Sequence, residues 1–236
     1  MSTGTTSVQT GPATPSGSGG IARIRSAIAN RLSAGLHARH RAYGLVRDLD
    51  IPLETPRARI PISIRPLEPA DIPVLFSLDQ PGLDQKERLE IIWRQKFLES
   101  GFPGCFVAID ERAGTPCYFQ WLLGAAENDR LAPLKQFPAL GRNEALLENA
   151  YTPIAYRAKG IMPAAMAMIA ERARDFGASR VITFVGEENM PSMKGCRKAG
   201  FAPYLLREQT SFGFGTFRAV RFTPLAADDP RREFNF

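Results

Sequence analysis

The segment Tyr156-Arg157-Ala158-Lys159-Gly160-Ile161-Met162-Pro163 holds residue types that could do chemistry together. A short glycine-containing loop runs there from a strand pattern into a helix pattern, and the first turn of a helix leaves backbone N–H groups unpaired. Arg157 and Lys159 add positive charge, and Gly160 allows close backbone approach or a positive φ. Such a corner suits a pyrophosphate, although strand-loop-helix corners of this composition also occur as plain connections. The remaining reactive types are sparse. Cys105, Cys117 and Cys196 are odd in number and lack CxxC spacing, which argues against a disulfide framework and a structural zinc site. His37 and His40 are the only histidines and make a poor metal site by themselves, so no metal is expected.

The elements that must position this loop can be read from periodicity. MPAAMAMIAERARDFG (162–177) is a helix with proline in its first turn and glycine at its end. ALLENAYT (145–152) before it and RVITFVG (180–186) after it are strands, giving a β-α-β unit. Upstream, GCFVAID (104–110) and TPCYFQWLLGA (115–125) form an antiparallel hairpin around ERAG. KERLEIIWRQKFLES forms a helix with Leu89, Ile92, Trp93 and Phe97 on one stripe, and Trp93 and Trp121 are read as core. ISIRPLEPADI opens the body at about residue 61 as a strand and a helix capped by Asp71. A short helix around PSMKGCRKAG and two strands flanking Gly213 and Gly215 complete the body at about residue 223, leaving 224–236 as a tail. The stretch from 126 to 144 reads as loop.

The net charge of +6 resides in one place. Residues 1–47 contain six arginines and no acid, leaving 24 basic against 24 acidic residues in the remainder, so the body offers no basic face for nucleic acid. Residues 1–20 have a disordered composition, and Ile21, Ile24, Ile28, Leu32 and Leu36 mark an amphipathic basic helix. Residues 42–51 read as an extended segment and a proline-containing linker ends near residue 60. The arm admits packing on the domain, a homodimer contact, peripheral contact with an anionic membrane, or targeting. The chain has no apolar run long enough to span a membrane, and cysteine usage points to a reducing cytoplasm.

The order of elements resembles the GNAT superfamily of acetyl-CoA-dependent N-acetyltransferases, and particular residues carry the likeness over about 61–223. The family loop Q/R-x-x-G-x-G/A is matched by Arg157-Ala158-Lys159-Gly160-Ile161-Met162, with Met162 standing where a tiny residue is usual. Asn189, Ser192 and Lys198-Ala199-Gly200-Phe201 match the family's asparagine and helix-ending tag. The resemblance implies a mixed α/β, mostly antiparallel twisted sheet flanked by helices. It implies a V-shaped opening between the strand ending near Thr152 and the strand 180–186, with backbone groups of Tyr151, Thr152 and Pro153 holding the pantetheine of acetyl-CoA. It also implies Glu148 as general base, with Glu144 as substitute. The general acid is usually a tyrosine seven residues after the asparagine, a position held here by Cys196, whose alternative is a buried core residue.

Three functions follow. The first is N-acetylation of a small-molecule amine such as an amino sugar or amino acid. The second is transfer of a longer acyl chain from CoA or acyl carrier protein at a membrane surface. The third is a CoA-binding module without catalysis.

Overall fold

The computed structural model describes residues 37–212 and 217–234. The tail and the amphipathic helix expected over 1–36 lie outside the described residues. The chain divides into two units, Met1–Arg39 with Thr210–Ala219, and His40–Gln209 with Val220–Phe236. In the smaller, Ser211 Oγ donates to the Ala38 carbonyl at 3.4 Å. The cleft described below lies within the larger.

The strands are β1 (His37–Asp48), β2 (Ile62–Pro66), β3 (Cys105–Asp110), β4 (Thr115–Gly124), β5 (Glu144–Tyr151), β6 (Arg180–Gly186), β7 (Ala202–Phe212) and β8 (Phe217–Pro224). The helices are α1 (Ile72–Leu75), α2 (Gln85–Glu99), α3 (Asn128–Leu131), α4 (Ile161–Glu171) and α5 (Met190–Lys198). One sheet runs β2-β3-β4-β5-β6-β1-β7-β8. The β2–β3, β3–β4, β4–β5 and β1–β6 pairs are antiparallel, and β5–β6, joined through α4, is parallel.

Strand alternation sends successive side chains to opposite faces. Leu147 and Val181 pack with Ala165, Met166 and Ile169 of α4 and with Met193 of α5. Leu146 and Ile182 join Phe119, Trp121, Leu75 of α1 and Ile91 of α2 on the other side. At roughly 25 cal/mol per Å² of apolar surface, these two clusters supply the main driving force for folding.

Several sequence expectations are corrected here. Residues 42–48 are extended, but within the sheet and not ahead of the body. They pair with β6 from Ala42↔Gly186 to Asp48↔Arg180 and bury Tyr43 and Leu45. Arg47, also buried, donates to the Ala167 carbonyl at 3.1 Å and pairs with Glu171, fastening β1 to α4. The linker packs too: Leu53, Ala58 and Ile60 rest on the core, and Arg59 N donates to Lys159 O at 2.8 Å. At the other end, Leu225 is buried and Phe234 packs against the core, so the last residues described are not a loose tail.

Trp93 is 67 % exposed, not core, and Leu89 is exposed as well. The buried side of α2 is centred on Ile91, with Arg94 and Leu98 beside it. Arg94 fits there because its guanidinium finds the Ala150 carbonyl at 3.1 Å and Glu90, partners that a hydrophobic pattern cannot reveal. Asp71 stands at the N-cap of α1 but makes no side-chain bond to it. Both its carboxylate oxygens take hydrogen bonds from Arg65, at 2.6 and 2.8 Å, and one accepts from Glu68 N, which locks the turn after β2. Helix α4 ends at Glu171, and a 3₁₀ segment, Arg172–Phe176, carries the chain to Gly177 at φ 82°. No helix among the described residues is long and apolar enough to cross a membrane.

Candidate functional site

The β5–β6 ladder ends at Leu147↔Thr183, although both strands continue. Beyond that point β5 bulges: Trp121 faces Glu148 and Phe119 faces Tyr151, leaving Asn149 and Ala150 opposite Gln120. Asn149 takes φ 57°, a left-handed value that asparagine tolerates better than most residues. A bulge bends and twists its strand, so β5 diverges from β6 and the parallel pair opens. Arg94 braces the opened backbone through its bond to Ala150 O.

A cleft of about 1060 Å³ lies at this opening. Tyr151, Thr152, Arg157, Ala158, Gly160, Ile161, Met162, Asn189 and Ser192 line it. Pro153 and Lys159 do not. Pro153 is buried, and the Lys159 ammonium sits 4.8 Å from the centroid of the Tyr156 ring.

The loop into α4 carries two left-handed residues, Ala158 at φ 60° and Gly160 at φ 71°. A side chain at Gly160 would meet the Arg57 carbonyl at 3.4 Å as well as that strained φ. No side chain caps α4, so the N–H groups of its first turn remain available at the cleft wall. Arg157 donates to Thr152 O at 3.2 Å and pairs with Glu87 of α2. That pairing, with the Asp84 backbone N–H, holds the Glu87 carboxyl below its ordinary value. Asn189 Oδ1 accepts from Ser192 N at 3.2 Å, so this pair starts α5 at the cleft's far wall.

Met162 is accommodated by a glycine. A Cβ on Gly195 of α5 would lie 2.4 Å from Met162 Sδ, so the thioether occupies space that only a glycine on the facing helix leaves open. The two helices thus interlock where the family usually has a tiny residue on α4.

Glu148 does not line the cleft; it faces Trp121 at the start of the bulge, partly buried. Burial pushes its carboxyl up to about 7, against the opposing pull of Arg207, the Asn149 backbone N–H and Arg94. Glu144 is taken up structurally: it pairs with Arg180 at 2.9 Å and accepts from Gly141 N at 3.0 Å. Cys196 does not line the cleft. It is 1 % exposed, its Sγ lies 3.8 Å from Met166 Sδ, and burial pushes its thiol up to about 12. Residues not singled out from sequence also border the site: Glu87 and Arg94 of α2, and Tyr118 of β4, whose buried hydroxyl donates to Gln120 Oε1 at 2.7 Å. The one available signal was a charged residue, Arg94, inside an apolar helical pattern.

Residues 74–201 match the model of the acetyltransferase (GNAT) family. No curated protein matches the chain. Among solved structures, a GCN5-related glucosamine N-acetyltransferase region of a fungal multi-domain GH3 β-N-acetylglucosaminidase is 16 % identical, with a TM-score of 0.53 over 79 % of this chain and 22 % of that one. A Drosophila protein is 17 % identical, with a TM-score of 0.46 over 82 % of this chain and 57 % of that one. A GCN5-related N-acetyltransferase from Sphaerobacter thermophilus is 12 % identical, with a TM-score of 0.46 over 85 % and 56 %. The chain therefore spans less than two thirds of each of these three. With the family match extending across more than half of its residues and taking in the loop, the bulged strand and the cleft, this chain belongs to the GNAT acetyltransferase family.

Proposed function

We propose that this protein is an N-acyltransferase that moves an acyl group, acetyl in the first instance, from acyl-CoA to the primary amine of a small molecule. The observation that carries this reading is the opened β5–β6 pair, closed at its base by a left-handed loop that ends on the uncapped N-terminus of α4. The loop and first-turn N–H groups suit the CoA pyrophosphate, with Arg157, Lys194 and Lys198 supplying charge nearby. The opened edge of β5 offers unpaired backbone groups to an extended pantetheine, which would bind as an additional strand does.

In this reading the thioester lies at the bulge, where a backbone N–H polarises its carbonyl. Glu148 removes a proton from the ammonium of the acceptor, and the freed amine attacks the thioester carbon. The C–N bond forms, the C–S bond breaks, and the departing thiolate takes the proton shed from the nitrogen or one from water. A base near 7 is half ionised at neutral pH, which suits this task.

Calorimetric titration of the purified chain with acetyl-CoA and longer acyl-CoAs tests the reading. Saturable binding is expected, and Gly160→Trp, which places a bulky side chain in the loop, should abolish it while the unfolding midpoint confirms that the variant folds. Absence of acyl-CoA binding to the native chain would overturn the proposal. A preference for longer chains would shift it from acetyl to longer acyl transfer.

A further inference from the structure

The sheet face opposite α4 holds an arginine beside Glu148 that the acyl-transfer reading leaves without a task. Leu146↔Ile182 and Leu147↔Thr183 close the parallel ladder, so Glu148 and Phe184 are the next register neighbours where the strands part. Phe184 packs into the α1–α2 side of the core, with Phe137 and Phe222 at centroid distances of 5.7 and 6.2 Å. Arg207 reaches this wall from β7, with β1 between β7 and β6. Between them, β1 has Gly44, over which Leu205 of β7 meets Phe184 of β6: a Cβ on it would strike Leu205 at 2.7 Å and Phe184 at 3.1 Å.

The Arg207 guanidinium lies 5.2 Å from the Phe184 ring centroid. Its one hydrogen bond among the described residues runs from Nη1 to Gln136 O at 3.0 Å, and it has no salt bridge among them. The rest of its donor fork is uncommitted. Arg94 Nε and Trp121 Nε1, the latter across the β4–β5 ladder from Glu148, are buried donors that also lack partners. This side of the bulge is therefore rich in donors, and of the two carboxylates beside them among the described residues, Glu90 is already paired with Arg94, leaving Glu148. Burial also pushes the Arg207 guanidinium below its ordinary value, so its desolvation is incompletely offset.

We propose that the acceptor amine also carries a carboxylate, which takes the open fork of Arg207 while its amino group meets Glu148. This inference rests on the acyl-transfer reading above. A planar fork matches a carboxylate in two parallel hydrogen bonds, and one open fork matches a single negative charge. An amine without an anionic group would leave the open fork of Arg207 unmet, so it is disfavoured by missing contacts. The aromatic side chains beside the fork favour an acceptor with an apolar body.

The test compares phenylalanine, leucine and glutamate with their α-carboxamides and decarboxylated amines, and with glucosamine. Thiol release from acetyl-CoA is measured, together with calorimetric binding to the CoA-saturated protein. At least one amino acid should exceed its amide by about 10- to 100-fold in kcat/KM and in affinity, the range expected for a charge-assisted pair. Arg207→Gln should bring that ratio close to one, and Arg207→Lys should restore part of it. Equal handling of acid and amide, an unchanged ratio in Arg207→Gln, or glucosamine as the best acceptor would overturn the inference. If acyl-CoA binds but no carboxylated amine binds more tightly than its amide, this inference alone falls. If no acyl-CoA binds, the underlying reading falls with it.

Discussion

Replacing Glu148 by glutamine should make the protein more stable and less active, with both effects set by pH. Burial holds the carboxyl at about 7 in the folded chain, against an ordinary value of 4.5. The native state therefore binds this proton more tightly than the unfolded chain. Stability falls as pH rises from 4.5 to 7 and stays lowered above that range. At about 1.4 kcal/mol for each pH unit between the two values, ionised Glu148 costs the fold up to about 3 kcal/mol at pH 8. Partial access to solvent reduces this figure, so about 1–3 kcal/mol is expected. Glutamine has no such charge. Urea unfolding of both proteins at pH 4.5 and pH 8 should give nearly equal free energies at the lower pH and a gain for Glu148→Gln at the higher. In the same variant, kcat/KM should drop by about 10²- to 10⁴-fold, the contribution of a positioned base. The native rate should rise through an acid limb near pH 7. A variant no more stable at pH 8 would refute the desolvation argument, and one that keeps its activity would refute the assignment of Glu148 as base.

Two further outcomes follow from packing. Gly195→Ala should cost about 1–3 kcal/mol, because its Cβ would overlap Met162 Sδ. The double variant Met162→Ala/Gly195→Ala should lose less than the two single losses combined, by at least about 0.5 kcal/mol, in a double-mutant cycle of unfolding free energies. Cys196→Ala should keep kcat within about threefold while losing about 1–2 kcal/mol of stability, as a core truncation does. The native Cys196 thiol, pushed up to about 12, should react with iodoacetamide only on unfolding.

What could be read in the chain before its structure was known was local. Gly160 beside Arg157 and Lys159, the strand on either side of α4, and Asn189 ahead of α5 are close in sequence, and their geometry is set by helix and strand periodicity. The hairpin of β3 and β4 was legible for the same reason. Composition separated the acid-free arm from the balanced body. Other features depended on contacts between distant segments. The place of β1 between β6 and β7 depends on pairing over about 140 residues, and an extended stretch reads alike inside or outside a sheet. Trp93 is exposed because α2 rests on Ile91 and Arg94, and Arg94 is half-buried there because Ala150 O and Glu90 receive it. The bulge at Asn149 is a mismatch between two strands and exists in neither alone. Cys196 falls in the core because Met166 of α4 faces it. Local periodicity thus determined most of the elements and the loop before α4, while the short helix α3 fell in a stretch read as loop. Tertiary packing alone decided which charges were desolvated, since burial and the meeting of Glu148 with Arg207 are set by strands far apart in sequence.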